Sequence, residues 1–366
     1  MHRSMNKILF GFGVASIPWL MSGCDRAPAA LDPQGPAAAT IHGLSWQLIG
    51  LGSLIYVVVS GLLLYALFRR RVERTSMQEG RDVTGAKQGD HPADTPADTP
   101  ADTIVGRRIV IWGGMVMPAV VLLVVGGLAL NTLLAFATDP LGSASSGTRR
   151  TDTALAIEVI GHQWWWEVIY PDAKVITANE IHIPTGQPIQ ITLRAEGVVH
   201  SFWVPQLHGK LDMIPGRTNR FYIQADETGE FRGICAEFCG IQHARMLFLV
   251  IAHPPETFAQ WLTAQQQPAI TPEGTSAQQG QALFLETPCA QCHAVAGTTA
   301  AGRLGPDLTH FAGRREIGAG TLANTRENLA AWLINPQEKK TGNLMPATTL
   351  APEELEALLD YLATLE

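Results

Sequence analysis

The residues best suited to chemistry lie in one stretch of twelve, Cys235-Ala236-Glu237-Phe238-Cys239-Gly240-Ile241-Gln242-His243-Ala244-Arg245-Met246. Thiolate, imidazole and thioether groups are soft or borderline ligands, and they favour copper over hard, oxygen-seeking cations. If two copper ions share both thiolates and each takes one imidazole, His243 and the upstream His200 complete two sites. Met246 then remains as a weak axial ligand, so the pattern indicates a binuclear copper site.

Two other structures use the same cysteines. An oxidising compartment would favour a disulfide between Cys235 and Cys239, and two cysteines with two histidines can hold tetrahedral zinc. Neither has a use for the thioether of Met246, which makes copper the favoured interpretation.

A second constellation is Cys289-Ala290-Gln291-Cys292-His293. At this spacing both thiols can form thioethers to the vinyl groups of a haem while the imidazole binds the iron. A thioredoxin-like redox pair or half a zinc site would use the cysteines alone and would not need the adjacent histidine. Met345 is the candidate for the opposite face of the iron, because a His/Met pair raises the potential and suits electron transfer.

The elements that must position these residues change in type along the chain. From Ala154 onward, short β-type runs separated by Gly, Pro, Asn and Asp predict a sandwich or closed barrel with the copper ligands on loops at one end. The predicted strands are 155–160, 164–170, 180–183, 189–193, 220–224, 230–233 and 246–252. Helices are predicted over 255–266, 276–286 and 352–365, and the polar stretch 265–275 between the first two is predicted to be a flexible tether.

The run from His200 to Met246 contains further residues at characteristic places, namely Pro205, Lys210, Asp212 and Ile214-Pro215-Gly216-Arg217. It resembles the copper A domain of subunit II of haem–copper cytochrome c oxidases, and the similarity extends from the first apolar segment to about Pro254. The resemblance implies a cupredoxin-like Greek-key β-barrel. It also implies that the backbone carbonyl of Glu237 is the remaining copper ligand and that the Glu237 carboxylate binds magnesium at the boundary with subunit I.

Three consecutive tryptophans follow Gly161-His162-Gln163. Side chains alternate along a strand, so at least one ring must face outward. That ring could serve as a membrane-interface anchor. The resemblance instead implies that Trp164 is the surface relay through which electrons enter.

The segment 274–366 resembles an all-α class I cytochrome c. The resemblance implies that the carbonyl of Pro306 holds the ring nitrogen of His293. It also implies that Gly280 and Tyr361 mark the packing of the first and last helices.

Two apolar segments, 44–68 and 109–136, are long enough to cross a bilayer as helices, and Pro118 is expected only to kink the second. Arginines follow the first segment and precede the second, which places the intervening loop in the cytoplasm and the metal-binding regions in the periplasm. A repeat of Pro-Ala-Asp-Thr over 91–103 is expected to be disordered.

The N-terminus has the charged and apolar regions of a secretory signal, which ends at Ser22-Gly23-Cys24. This ending resembles a bacterial lipoprotein processing site and predicts lipidation of Cys24. The alternative is an uncleaved anchor with a free thiol.

The expected division of the chain is a lipoprotein-type signal peptide (1–23), a periplasmic segment (24–43), a first span (44–68), a cytoplasmic loop (69–108), a second span (109–136), a copper A domain (150–254), a short helix with linker (255–273) and a cytochrome c domain (274–366). This architecture predicts subunit II of a caa-type bacterial cytochrome c oxidase in the inner membrane. Expected partners are subunits I and III, a cytochrome c donor and membrane lipid, and the oxygen-reducing site is expected in another subunit. A net charge of −7 argues against nucleic acid as a partner.

Two other functions stay open at this point. A nitric oxide reductase with a copper A subunit would need the same electron input. A free-standing carrier or copper-delivery protein is also open, although complete ligand sets argue against delivery. Copper A, covalent haem c and magnesium are the expected cofactors.

Overall fold

Two long apolar helical segments form the first part of the described chain. The computed structural model describes residues 29–84, 104–138 and 155–366. Helix α1 is Pro36–Thr84, and the second segment consists of α2 (Ile104–Ile111), a π-helical turn (Trp112–Val116) and α3 (Met117–Thr138). The stretches Pro36–Phe68 and Gly106–Ala137 have mean hydropathies of 2.2 and 2.4, and both are long enough to cross a bilayer.

Both segments differ in detail from the sequence-based expectation. Helix α1 begins before residue 44 and continues past the arginines that were expected to close it. In the second segment the π-helical turn directly precedes Pro118, which has no N–H to donate to the carbonyl four residues back. The predicted signal peptide, Cys24 and the repeat over 91–103 lie outside the described residues.

The copper module, residues 155–253, consists of two five-stranded sheets with strand orders β3-β2-β1-β5-β8 and β4-β10-β9-β6-β7. Pairs β1–β5 and β4–β10 are parallel, and the other pairs are antiparallel. The strands are β1 (Ala156–His162), β2 (Trp165–Tyr170), β3 (Val175–Ala178), β4 (Glu180–Pro184), β5 (Ile189–Ala195), β6 (His200–Trp203), β7 (Leu211–Met213), β8 (Asn219–Ile223), β9 (Gly229–Cys235) and β10 (Leu247–His253). All seven predicted strands are present within two residues of their expected bounds, and β3, β6 and β7 were missed.

An aromatic cluster fills the core between the sheets. The rings of Trp166 and Phe248 lie 4.9 Å apart, and those of Phe202 and Phe248 lie 4.5 Å apart. A Cβ at Gly233 would lie 2.2 Å from the Phe248 ring, so only glycine leaves room for this ring beside β9. This packing fixes the strands whose ends carry the predicted copper ligands.

The haem module follows β10 and the helix α4 (Pro255–Gln265). Its elements are α5 (Thr275–Glu286), α6 (Cys289–Cys292), the two-residue strands β11 (Glu316–Ile317) and β12 (Leu322–Ala323), α7 (Arg326–Ile334), α8 (Pro336–Lys339) and α9 (Pro352–Ala363). Helices α5 and α9 cross at Gly280, where a Cβ would lie 1.9 Å from the Ala357 carbonyl oxygen and 2.8 Å from the Tyr361 Cβ. Gly280 and Tyr361 therefore mark this packing, as expected.

The linker between the two modules is bound to both of them. The Gln266 side chain donates to the Ala173 carbonyl at 3.1 Å, and the amide of Ala269 donates to the Ala296 carbonyl at 3.0 Å. The Gln267 carbonyl oxygen lies 3.0 Å from Nε2 of His310. The expectation of a flexible tether was wrong, because the polar groups that suggested solvent exposure find partners on both modules.

Residues 29–39 and 155–366 belong to one compact unit, and the apolar helical segments within 40–138 belong to another. Within the first unit, the N-terminal segment is held against the copper module by two backbone hydrogen bonds. The amide of Gln34 donates to the Gln206 carbonyl at 2.7 Å, and its carbonyl accepts from the Asp226 amide at 2.9 Å.

Candidate metal centres

The copper ligands predicted from the sequence meet at one end of the second sheet. His200 begins β6, Cys235 ends β9, and Met246 directly precedes β10. Strands β6 and β10 both run antiparallel to β9, so the start of each lies beside the end of β9. The intervening loop brings in Cys239 and His243, which begins a short 3-10 turn.

The donor atoms lie within a few ångströms of one another. Sγ of Cys235 is 3.7 Å from Sγ of Cys239 and 3.8 Å from Nδ1 of His200. Sγ of Cys239 is 3.8 Å from Nδ1 of His243 and 3.8 Å from Sδ of Met246. The Glu237 carbonyl oxygen is 3.2 Å from Sγ of Cys235, so all six predicted donors converge on the two thiols.

The residues fit a copper pair by their chemistry and by their burial. Cys235, Cys239, His200 and Met246 are all buried, and His243 is half-buried. A buried set of two thiols, two imidazoles and a thioether is suited to copper and lacks the oxygen ligands that hard cations prefer. A Cβ at Gly161 would lie 2.9 Å from the His200 ring, so glycine is needed there to leave this ring its place.

The two thiols titrate as a coupled pair. The hydrogen bond with Cys239 lowers the pKa of the Cys235 thiol well below its usual range, and the His200 ring lowers it further. Sharing with Cys235, together with burial, raises the pKa of Cys239. The two thiols therefore differ in acidity, and a metal ion would bind both of them as thiolates.

The Glu237 side chain points away from the sulfur atoms. Its carboxylate lies 3.5 Å from Nζ of Lys210, which also contacts the Asp212 carboxylate at 3.0 Å. The Glu237 side chain is 43% exposed. The Glu237 carbonyl thus contacts Cys235 and its carboxylate contacts Lys210, as the hypothesis of two separate roles requires.

Three of the four predicted haem residues, Cys292, His293 and Met345, line one cavity. Cys289 and Cys292 lie on α6, and the following His293 is held by a 2.7 Å contact between its Nδ1 and the Pro306 carbonyl oxygen. That contact leaves Nε2 for an iron ligand, and burial lowers the pKa of His293, which favours the neutral imidazole. A Cβ at Gly305 would lie 2.5 Å from this ring.

Met345 lines the same cavity as His293. Its sulfur accepts a hydrogen bond from Nε1 of Trp332 at 3.2 Å. Arg314 also lines the cavity, and its buried Nε has no hydrogen-bond partner among the described residues. An apolar cavity lined by the thiol of Cys292, an imidazole, a thioether and a buried guanidinium fits a haem, whose carboxylates suit an arginine. Cys289 lies on the same short helix as Cys292.

The opposite wall of the haem cavity belongs to the copper module and includes Gln163, Trp164 and Trp165. Nε1 of Trp164 donates to the carbonyl of Cys239 at 2.9 Å, and Nε2 of Gln163 donates to the same oxygen at 3.0 Å. The Trp165 ring instead stacks on His162 at 4.4 Å, and Trp166 is buried in the core. Trp164 therefore touches both the haem cavity and the residue that carries a copper ligand.

Sequence reasoning missed Lys340, which is buried between the two modules. Its Nζ donates to the carbonyls of Trp164 at 2.8 Å, Arg245 at 2.7 Å and Gly318 at 2.7 Å. Burial lowers the pKa of Lys340 to about 7, whereas the three carbonyl dipoles favour its charged form. Nothing in the sequence distinguishes this lysine from its neighbour Lys339.

Two family models match the chain. One is described as cytochrome c oxidase subunit II, periplasmic domain, and matches residues 173–253; the other, cytochrome c, matches residues 277–366. The chain is 35% identical over 350 residues to cytochrome c oxidase subunit 2 of Alkalihalophilus pseudofirmus, with 94% of each chain covered. The chain belongs to the cytochrome c oxidase subunit 2 family.

Other relatives of this subunit 2 family member match different shares of the chain. Cytochrome c oxidase subunit 2 of Bacillus subtilis is 32% identical over 370 residues, with 96% of each chain covered. Quinol oxidase subunit 2 of Bacillus cereus is 29% identical over 256 residues, which is 69% of this chain and 78% of the relative. The periplasmic domain of subunit II of Bradyrhizobium japonicum cytochrome oxidase is 30% identical over 32% of this chain and 96% of that structure, with a TM-score of 0.31.

Membership in the family confirms the resemblance read from the sequence. The predicted fold class is confirmed as well, with two apolar helical segments, a cupredoxin-like β domain and a helical cytochrome c domain. The roles of individual residues at the metal centres stay predictions, to which the geometry above adds support.

Proposed function

We propose that this chain is subunit II of a respiratory haem–copper oxidase and transfers electrons from its own haem c to copper A. From there the electrons pass to the catalytic subunit I, which reduces oxygen and pumps protons. Bound haem and copper would supply one-electron chemistry, in which the haem would be oxidised as the copper pair is reduced, with no bond formed or broken. The chain sits in the bacterial inner membrane with both metal modules on the periplasmic side, together with subunits I and III.

The observation that carries this proposal is the position of Trp164. One part of the residue lines the haem cavity, and its indole N–H is bonded to the carbonyl of Cys239. A single side chain thus connects the two sites by contact and hydrogen bond. This arrangement suits electron entry at Trp164 better than a membrane-interface anchor, which would face lipid headgroups.

The other residues take the roles that their surroundings support. Cys289 and Cys292 would attach the haem, and His293 and Met345 would bind its iron on opposite faces. His200, Cys235, Cys239, His243, Met246 and the Glu237 carbonyl would hold the copper pair. The Glu237 carboxylate, beside Lys210 and partly exposed, would bind magnesium where subunit I completes the site.

The haem module covers the face through which electrons would enter the copper module. Trp164 and Trp165 are only half-exposed because they line the cavity shared with the haem module. The haem module would therefore restrict contact between a soluble cytochrome c and Trp164. The external donor should reduce the haem, and the haem should reduce the copper pair.

The nature of that donor follows from the chain's own modules. Relatives named for cytochrome c and for quinol both occur, but those matched over nearly the full length are named for cytochrome c. The family match over 277–366 supplies a one-electron haem carrier within the chain. A one-electron cytochrome donor suits this input better than a two-electron quinol.

Trp164→Phe in the purified complex tests the proposal. One electron is injected photochemically into the haem, and the reduction of copper is followed optically. Phenylalanine keeps the aromatic wall of the cavity but removes the N–H donated to Cys239, and transfer should slow by about tenfold or more, the scale of a misplaced reacting group.

Trp165→Phe is the matched control, because that ring lines the same cavity but stacks on His162. Equal slowing in both variants would contradict a specific role for Trp164. Oxygen consumption by the wild-type complex, measured against nitric oxide consumption, separates the oxidase from the reductase alternative.

A further inference from the structure

The loop that carries Met345 is a single hydrogen-bonded piece. Nε2 of Gln337 donates to the carbonyls of Asn343 and Met345, each at 2.9 Å, and Oε1 accepts from the Gly342 amide at 2.7 Å. The Asn343 side chain accepts from the Met345 amide at 2.9 Å and donates to the Lys340 carbonyl at 2.6 Å. These hydrogen bonds hold together residues 337–345, the methionine loop.

The other side of the methionine loop rests on the loop that holds the copper ligands. Nε2 of Gln242 donates to the Thr341 carbonyl at 2.7 Å, and the Arg245 guanidinium donates to the Lys339 carbonyl. A Cβ at Gly342 would lie 2.4 Å from the Ile241 side chain. Gln242 and Arg245 each lie next to a predicted copper ligand, so the loop that ligates iron touches the loop that ligates copper.

Lys340 joins these loops at the centre of the contact. Two of its three carbonyl partners, Trp164 and Arg245, belong to the copper module, and the third, Gly318, belongs to the haem module. Its side chain is buried, so water cannot replace the ammonium as a donor to these carbonyls. One of the three carbonyls belongs to Trp164 itself.

The ion pairs around this contact are weaker candidates for the same role. Arg315 and Glu230 are both half-exposed at 3.1 Å, and such pairs contribute little in water. Arg232 and Glu316 form a better, two-pronged pair, but they lie beside β11 and contact neither metal loop. Among the residues that the structure describes, only Lys340 donates hydrogen bonds from the methionine loop to both Trp164 and the copper loop.

We propose that Lys340 is a positioning residue for electron transfer, and that its buried ammonium fixes the methionine loop and its haem against Trp164 and the copper loop. The inference rests on the proposed transfer from haem c to copper A and names the residue that sets its geometry. Lys340 binds no metal and acts only through the carbonyls that it holds. Without it, the modules stay linked by 266–274 and by their other contacts, but the methionine loop loses its hydrogen bond to the Trp164 carbonyl.

Lys340→Met in the full-length complex tests this role. Methionine has a similar length and fills the space, but it leaves three buried carbonyls without a donor. After photochemical injection of one electron into the haem, transfer to copper should slow by about tenfold or more. The haem spectrum and the copper paramagnetic resonance signal should both persist, because no ligand is changed.

Lys339→Met is the matched control. The Lys339 side chain donates to none of the three carbonyls that Lys340 holds, so this variant should keep the wild-type transfer rate. Gln242→Met removes the hydrogen bond to the Thr341 carbonyl across the same contact and should lower the transfer rate by a smaller factor. This second variant keeps the proposal testable if the Lys340 variant assembles poorly. Unchanged transfer in an assembled Lys340→Met complex overturns the proposal, and if that variant does not assemble, unchanged transfer in Gln242→Met overturns it. So does loss of the copper signal in Lys340→Met, which would make the lysine a support of the copper site itself.

Failure of the wild-type complex to pass the electron from haem to copper would instead refute the proposed function. Fast wild-type transfer with an unaffected Lys340→Met would refute only the role of Lys340. The two failures are therefore separated within one set of measurements.

Discussion

The predicted copper donors converge on one another, whereas the predicted haem residues Cys292, His293 and Met345 line a cavity. Sulfur and nitrogen atoms at the copper site lie 3.7 to 3.8 Å apart, placed by the ends of three paired strands. The predicted haem donors come from a short helix and from loops. The sulfur of Met345 accepts a hydrogen bond from Nε1 of Trp332. The scaffold alone assembles the first site, whereas the second is arranged around the volume of its cofactor.

Cys239→Ser is expected to have the largest effect on the copper side of this comparison. It removes a thiolate that lies within 3.8 Å of three other donors, so the site should bind one copper ion or none. Metal analysis and paramagnetic resonance check this. A wild-type protein that shows only isolated copper ions would contradict the binuclear assignment.

The corresponding change on the haem side is Cys289→Ser with Cys292→Ser. Without covalent haem, the cavity loses the group around which its walls are arranged, and residues 274–366 should become readily cleaved by protease. The copper module should resist cleavage as before, since its core is separate. Equal protection of the haem module with and without haem would show that it too is assembled by its scaffold.

Met345→Ala is expected to have an intermediate effect. Loss of the thioether should lower the haem potential by on the order of 0.1 V, within the ~0.8 V range that axial ligands span. The haem then becomes harder to reduce by its external donor, so turnover should fall while the copper signal stays. Redox titration measures the shift, and an unchanged potential would exclude Met345 as a ligand.

Glu237→Gln is expected to have the smallest effect. The carbonyl that faces Cys235 is retained, so the copper spectrum should not change, whereas magnesium or manganese binding should weaken. Loss of the exposed contact with Lys210 should cost at most about 1 kcal/mol. Loss of copper in this variant would mean that the carboxylate itself supports the copper site.

The same comparison explains how much could be read from the sequence. Most members of both ligand sets could be proposed from the sequence because donor type and short spacing are local, as in Cys235 to Met246 and Cys289 to His293. The strands β3, β6 and β7 were missed because three or four residues show no clear alternation. His200 was assigned as a ligand by counting the donors that two copper ions need, although its strand was not predicted.

Contacts between the modules could not be predicted in this way. Lys340 and Trp164 are 176 positions apart, and no local pattern links a lysine near the end of the chain to a carbonyl in a strand turn. The linker was misread for a related reason. Its glutamines and prolines are typical of exposed segments, but Gln266 and Gln267 use their polar groups on partners in both modules.

The central claim is that haem and copper exchange electrons directly within one chain, and time-resolved reduction of the intact complex tests it most directly. After one electron is delivered to the haem, the copper signal should rise with the same first-order rate constant at which the reduced haem decays. That constant should not change with protein concentration. Copper reduction that follows the concentration of the external donor while the haem stays reduced would contradict the account.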